Sequence, residues 1–518
     1  MIRALWAVWL GSLLSSAGLA QRTGTDTTYR QAFRPQYHFS PRANWINDPN
    51  GLVYFDGEYH LFYQYNPYGN RWGHMTWGHA ISRDLVHWKE LPPAILEEGS
   101  TMIFSGSCVV DKNNTSGFGQ NGVVPMVAVY TAHQTNRQSQ HIAYSLDRGR
   151  TWTKYIANPV IDLNKKDFRD PKVFWHEPTQ RWVMVVLLPT EKKALFYQSP
   201  NLKQWTKSGE FTAADSPATI WECPDLVEVP VEGTLERKWL LMLSMGGGAP
   251  AGGSGMQYYL GRFDGKSFVS ELKPGDVRYV DWGKDYYAAI TFNNLPVRGN
   301  RGTISIGWMN NWQYANDLPT APFRGAMTLP RELRLVKLQN SGTPARYELR
   351  QRPIQELKPL LGTPFRWTGT DVAQLNDQLH TASSSLPTDT YLLTLELEPK
   401  QVSPGVRVQL RKNSQDETEA TAIGYDPVRQ QLFLDRSRSG QTGFNNDFPG
   451  RFTAPLKPQN GRVTLQVWVD RSSVEIFAND GQVTMTNQIF PGPSATGITF
   501  FGDGLRSVII QPIEGIWR

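Results

Sequence analysis

From residue 30 to about 340 the chain alternates apolar and polar positions in short runs, broken by Gly, Pro, Asn and Asp. Leu52-Val53-Tyr54-Phe55, Glu58 to Tyr65 and Trp182 to Leu188 carry the two-residue period of strands. No stretch in this region sustains the period of a long helix. Asp56-Gly57 and Asp264-Gly265 lie between such runs and predict tight hairpin turns. Beyond residue 340 the texture changes. Residues 341–362 contain Pro353 and Pro359 and read as a linker with one short helix. From 363 to 518 strands resume at Thr390 to Leu397, Val406 to Arg411 and Val463 to Val469, with another hairpin signal at Asp480-Gly481. This tail of roughly 150 residues reads as a β-sandwich.

The first region also repeats. Ser82-Arg83-Asp84 leads to Trp88, Ser145-Leu146-Asp147 to Trp152, and Ser199-Pro200-Asn201 to Trp205; a degenerate copy runs from Phe263-Asp264-Gly265 to Phe268. The four aromatics fall 64, 53 and 63 residues apart. All-β units of this size predict propeller blades, and about 310 residues at about 60 each make five. The fold predicted for the whole chain is therefore all-β: a five-bladed β-propeller over residues 30–340, followed by the C-terminal β-sandwich.

Composition narrows the partners. Residues 1–20 have the form of an export signal: Arg3, an apolar run from Ala4 to Leu14, and the small-residue end Gly18-Leu19-Ala20. That run is too short to span a bilayer, and no later stretch is long enough, so the predicted mature protein is exported, secreted or periplasmic, without a membrane anchor. A formal charge of +6, dispersed along 518 residues, is not the signature of a nucleic-acid binder. The two cysteines, Cys108 and Cys223, are expected as buried free thiols. Nine histidines without zinc-type spacing predict no metal site and no cofactor. The chain is rich in aromatics, with 18 Trp, 20 Tyr and 23 Phe, which suits both a β core and stacking against sugar rings.

Three acids stand beside prolines in apolar surroundings: Asn47-Asp48-Pro49, Arg169-Asp170-Pro171 and Trp221-Glu222-Cys223-Pro224. Proline fixes its own φ and restricts the residue before it, which stiffens the backbone around each carboxylate. One Asp-Pro pair alone is an ordinary turn starter. Here, however, Asp48, Asp170 and Glu222 precede Trp88, Trp205 and Phe268 by 40, 35 and 46 residues, and Ser105 precedes Trp152 by 47. If the Trp hairpins mark outer strands, each motif falls on the innermost strand of a blade, where the acids converge on the central channel. Paired carboxyls are the apparatus of glycosidic cleavage: one protonates the leaving oxygen while the other attacks or activates water. A third can stabilise developing positive charge.

Trp45-Ile46-Asn47-Asp48-Pro49-Asn50-Gly51, Phe104-Ser105-Gly106, Phe168-Arg169-Asp170-Pro171 and Trp221-Glu222-Cys223-Pro224-Asp225 occur in the order of glycoside hydrolase family 32, which the chain resembles over nearly its whole mature length. Gln64-Tyr65-Asn66-Pro67, Trp77-Gly78-His79-Ala80 and Asp470-Arg471-Ser472-Ser473-Val474-Glu475 extend the resemblance. It implies a retaining, exo-acting β-fructosidase that removes terminal fructofuranosyl units from inulin, levan or sucrose. On that resemblance Asp48 is the nucleophile, Glu222 the acid/base and Asp170 the transition-state stabiliser. Asn47, Gln64, Trp72, Phe104, Ser105, Arg169 and Trp312 would shape the fructosyl pocket. Ile46 departs from the methionine common at its position, a volume-conserving change. Gly246 to Gly255 lacks the ending of a phosphate loop and reads as a mobile rim loop, and Asp285 is a weak substrate-contact candidate. The competing readings are a fructosyltransferase on the same scaffold, a non-catalytic fructan-binding protein, and a sialidase-like propeller suggested by Ser145 to Trp152. The last lacks the arginine cluster that a sialic carboxylate requires.

Overall fold

The computed structural model describes residues 28–296, 302–338, 345–382, 386, 389–400 and 405–517, so the export segment read at residues 1–20 lies outside the described residues. Five antiparallel sheets come first. Their innermost strands are Asn44–Phe55, Met102–Val110, Arg169–His176, Trp221–Pro230 and Tyr287–Thr291. Each of these packs against the innermost strand of the next sheet, and the fifth packs against the first, which closes a five-bladed propeller around a channel. Closure is reinforced where Asn293 N donates to Leu52 O (2.8 Å) and Tyr54 N to Asn293 O (3.0 Å), joining blades five and one. Phe323–Arg324 also adds a short parallel pairing to Asn44 and Trp45 on the first blade.

The repeat read from the sequence lies at the outer edges of the blades. Trp88 opens the outer strand of blade one, Trp152 and Trp205 immediately precede those of blades two and three, and Phe268 opens that of blade four. The same hydrogen bond recurs at three of them: the indole N–H of Trp88, Trp152 and Trp205 donates to the carbonyl of Leu85, Gly149 and Leu202, at 3.1, 3.0 and 2.8 Å. In each turn the Ser hydroxyl meets the side chain of Asp84, Asp147 or Asn201, which in turn accepts backbone N–H groups further along the turn. These Ser-x-Asx turns fix the third-to-fourth strand connection locally.

Blade five departs from the expected boundary. Its outer strand is Tyr347–Pro353, registered on Arg331–Lys337 from Lys337 opposite Tyr347 to Arg331 opposite Pro353. Part of the 341–362 stretch expected as linker is therefore propeller. Pro353 misled because proline breaks central strands, whereas here it ends an edge strand and its missing N–H leaves no gap in the ladder. The short helix expected there is the 3₁₀ turn Gln355–Leu360.

Two further sheets, of six and five strands, enclose an aliphatic core that includes Leu393, Val408, Ile423, Val467 and Ile476. This is the β-sandwich. Its ten-residue helix Val372–Thr381 is capped by Asp371, whose carboxylate accepts from Ala373 N and Gln374 N. The joint with the propeller is dry and charged. Arg331 pairs with Asp281 (2.9 Å) and Glu475 (2.5 Å), and His38 bridges Asp470 (2.7 Å) and Glu475 (2.9 Å), all essentially inaccessible to water. Burial opposes protonation of His38, but hydrogen bonds to the two carboxylates outweigh it and raise its pKa to about 9. The Asp470–Glu475 motif thus ties the sandwich to the chain entering the propeller.

Candidate active site

All five innermost strands lose their regular register within their first few residues: between Ile46 and Pro49, Ile103 and Gly106, Arg169 and Lys172, Glu222 and Asp225, and Tyr287 and Ile290. An irregularity of this kind frees a residue from pairing and re-aims its side chain, and proline is tolerated there because no ladder N–H is needed. Asp170, Cys223 and Ala288 take up the bend with positive φ, at 67°, 44° and 51°. The acid–proline motifs therefore lie at β-bulges, with Glu222 the last paired residue before its break, and at these bulges the three acids come together through shared contacts.

Asp48 is buried, at 8 % exposure. Its Oδ2 accepts from Ser105 Oγ at 2.7 Å and lies 3.4 Å from the Cys223 thiol. Its Oδ1 has no donor among the described residues. Burial raises its proton affinity and the Glu222 charge adds to this, while the Ser105 bond opposes it. Asp170 Oδ2 accepts from Cys223 N at 3.0 Å. Burial is the largest influence on Asp170; the Arg169 charge pulls the other way, Glu222 and Asp48 push with burial, and its pKa is raised to about 7. Glu222 is held from two sides. Arg169 donates to Oε1 through Nε (3.1 Å) and Nη2 (2.8 Å), and the Tyr287 hydroxyl donates to Oε2. Cys223 joins the three, since its thiol touches Asp48 and Asp170 and its backbone follows Glu222. Burial, with the three neighbouring acids adding to it, drives its pKa well up, so it is a neutral thiol, an S–H donor between two carboxyl groups.

The structure places the other sequence-derived candidates around these acids. Asn47 Oδ1 accepts from Trp45 Nε1 at 2.7 Å. With the Asn50 amide oriented by its neighbours, its oxygen accepts from Gln64 Nε2 (2.9 Å) and its nitrogen donates to Ser105 Oγ (3.3 Å), linking Gln64 to Ser105. Phe104 stacks on His133 at 4.2 Å and meets Trp72 edge-on at 6.2 Å. Trp72 is 42 % exposed, so it is no core residue. Trp312 stacks on Trp45 at 6.0 Å and packs against Trp308 at 4.9 Å. All ten candidates belong to one connected cluster.

Two expectations from the sequence are corrected. Asp285 does not face the acids. It is fully buried at the joint with the sandwich, bonded to Arg436 and to the Tyr314 hydroxyl, both at 2.5 Å, and to Gln488 N at 2.7 Å. Counting one repeat from Glu222 reaches the right neighbourhood but stops two residues short of the inward-facing Tyr287. The Gly246–Gly255 loop is tied down. Asn311 Nδ2 donates to Gly252 O (3.2 Å) and Ser254 O (3.1 Å), and Ser254 Oγ accepts from Trp312 N at 3.0 Å. Gly253, at φ +68°, allows this, since a Cβ there would lie 2.3 Å from Asn311 Oδ1. The loop braces Trp312.

Tyr287 is the residue that sequence reasoning missed. It is the last paired residue before the register break on blade five, as Glu222 is on blade four, yet it lacks the carboxylate that drew attention to the acids. Its only signal in the sequence was phase, 65 residues beyond Glu222.

A propeller channel that gathers three carboxylates, an arginine and a tyrosine has the paired carboxyl groups that glycosidic cleavage uses. The chain belongs to glycosyl hydrolase family 32: the model of the family's N-terminal domain matches residues 38–353 and that of its C-terminal domain residues 356–514. It is 46 % identical to a levanase of Bacillus subtilis, over 99 % of this chain and 75 % of the levanase. It is 42 % identical to an extracellular exo-inulinase of Aspergillus awamori, over 90 % of this chain and 91 % of the relative. The crystal structure of exo-inulinase from Aspergillus awamori superposes with a TM-score of 0.85 at 39 % identity, covering 94 % of this chain and 100 % of that one.

Proposed function

We propose that this chain is an exported, exo-acting β-fructosidase that cleaves terminal fructofuranosyl units from β-fructans such as inulin and levan, and from sucrose, with retention. The observation that carries the reading is the differentiation of the acids. One oxygen of Asp48 is restrained by Ser105 and Cys223 while the other is without a donor, as a nucleophile requires. Glu222 sits apart, tethered by Arg169 and Tyr287, as suits a group that must give a proton and later take one. In the first step Asp48 attacks the anomeric carbon, the glycosidic bond breaks, and its oxygen leaves with the Glu222 proton. In the second, Glu222 takes a proton from water, and the water oxygen replaces Asp48 at the same carbon. Two inversions give net retention.

Asp170 and Arg169 would grip fructosyl hydroxyls, with the partial charge on the sugar strengthening the Asp170 contact in the transition state. Trp72, half-exposed at the rim, offers a flat face to the departing part of the substrate. The names of the levanase and the extracellular exo-inulinase support both the substrate class and an extracellular site of action. Asp48→Asn and Glu222→Gln test the assignment. Each should lower kcat on sucrose and inulin by about 10³-fold or more, with the Tm retained. Near-normal turnover in either removes its role, and longer oligomers in place of free fructose would make the enzyme a transferase.

A further inference from the structure

The propeller channel has a second mouth. The acids lie near the start of the innermost strands, which run side by side in one direction, as in the parallel bridge between Val53 and Asn293. Val110 lies five residues beyond Ser105, and Trp175 five beyond Asp170, which is about 17 Å further along the strands. At that far end a cleft of about 350 Å³ opens between blades two, three and five. Small-molecule sites span about 300–1,000 Å³. The aromatic wall of the cleft is fixed. Trp175 is partly exposed, its indole N–H donates to Glu177 Oε2 at 2.7 Å, and its ring stands against Trp182 at 5.1 Å and 68°. Trp182 donates in turn to Thr115 Oγ1 at 2.8 Å, on a loop that Asp111 holds by accepting from Thr115 N (2.9 Å) and Ser116 N (2.7 Å). Three amides complete the lining. Asn293 donates to Cys108 O (2.9 Å) and Val173 O (3.0 Å), and Asn294 to Tyr54 O (2.7 Å), so that among the described residues each keeps its Oδ1 as an acceptor, while Asn113 is exposed. We infer that this cleft is a second carbohydrate site, which holds a stretch of neutral fructan chain away from the acids.

Charge and shape select the ligand. Asp111 is buried, and its carboxylate is satisfied by two backbone N–H groups and the Thr115 hydroxyl. The exposed Lys112 and Glu177 carry opposite signs, and Glu177 already accepts from Trp175. An anionic ligand therefore meets no cluster of cations here, and a neutral polyhydroxyl chain fits. A rigid indole offers a flat apolar face to the C–H side of a sugar ring at little cost in side-chain entropy, and amides match its hydroxyls. The assignment to fructan rests on the β-fructosidase reading proposed above, since the neutral chain such an enzyme meets is its own polymer. A sucrose molecule is too short to bridge the two mouths. A long chain held at the far one keeps its ends at a raised local concentration near the acids. The cleft thus serves polymers and leaves small substrates untouched.

The test is Trp175→Ala. Calorimetric titration of the slow Glu222→Gln variant with an inulin-type pentasaccharide should show two binding events per chain. Adding Trp175→Ala should weaken one of them about tenfold, the loss of one aromatic anchor, and spare the other. With Glu222 intact, Trp175→Ala should lower kcat/KM on long inulin about fivefold through KM, while kcat/KM on sucrose stays within about twofold. A single event before the substitution, two events that ignore it, or equal losses on sucrose and inulin overturn the inference. Maltopentaose bound at the Trp175-dependent site as tightly as the fructan overturns it too. If Trp175→Ala does not fold, Asn113→Cys labelled with fluorescein maleimide obstructs the cleft from an exposed position, the native Cys108 and Cys223 being buried. It must give the same selective loss on inulin, and failure to do so is equally fatal. Absence of fructose release from sucrose by the unaltered enzyme would instead sink the hydrolase reading, a result distinguishable before any variant is compared.

Discussion

Converging three carboxylates should carry a stability cost, and Asp170→Asn measures it. In the folded protein Asp170 holds its proton up to about pH 7, against an ordinary 3.8, chiefly because it is buried and also because Glu222 and Asp48 are near. Between those values the native state binds a proton that the unfolded chain has released, so native stability falls as pH rises through this window. Each pH unit is worth about 1.4 kcal/mol, which sets a ceiling of about 4 kcal/mol. Asparagine cannot ionise, but it forfeits the contact with Arg169, 4.0 Å away, and accepts the Cys223 N–H less strongly than a carboxylate. A net gain of about 2 kcal/mol above pH 7.5 is expected, vanishing near pH 4. With an unfolding entropy of about 2.1 cal/mol/K per residue, that is a rise in Tm of ~2 °C. Differential scanning calorimetry of both proteins at pH 4.5, 6 and 8 reads it directly. The variant should be nearly inactive throughout. A difference in Tm that is flat with pH, or that favours the parent protein at pH 8, would show that Asp170 is not held protonated by its surroundings.

Further outcomes follow from the same geometry. Ser105→Ala removes the 2.7 Å donor to Asp48, so the nucleophile keeps its proton to higher pH; the acid limb of kcat/KM should rise by about one pH unit and neutral-pH activity fall about tenfold. Trp72→Ala should raise KM for inulin about tenfold with kcat changed less than threefold, by initial-rate kinetics, because the exposed ring serves binding more than chemistry. Arg436→Met leaves Asp285 buried without its cation and should cost about 3–5 kcal/mol in chemical unfolding, while kcat/KM of the folded fraction stays within twofold.

Much of this arrangement is written locally. The Ser-x-Asx turns before Trp88, Trp152 and Trp205 are short-range devices, and their spacing marks the blades. The acid–proline pairs are equally local, since a proline cannot sit in a central ladder and a bulge is where the chain can place one. Their convergence follows once the bulges are put in phase. What stayed hidden depends on distant partners. Asp285 reads like an active-site acid until Arg436, 151 residues away, is seen against it. Residues 347–353 read as linker because the strand they pair with, Arg331–Lys337, leaves no mark on their own composition. Tyr287 lacks a proline and a charge, so nothing in its own sequence distinguishes it from the many aromatics of the core.

The central claim is that Asp48 forms a covalent bond to fructose while Glu222 manages the proton. A slow Glu222→Gln variant, given fructosyl fluoride and quenched in acid, should accumulate the intermediate, because fluoride leaves without strong acid assistance while the second step lacks its base. Peptide mass spectrometry is predicted to find one hexosyl increment on the peptide containing Asp48, removed by the Asp48→Asn change. An increment on Asp170 or elsewhere, or product released with inverted configuration and no adduct, would contradict the account.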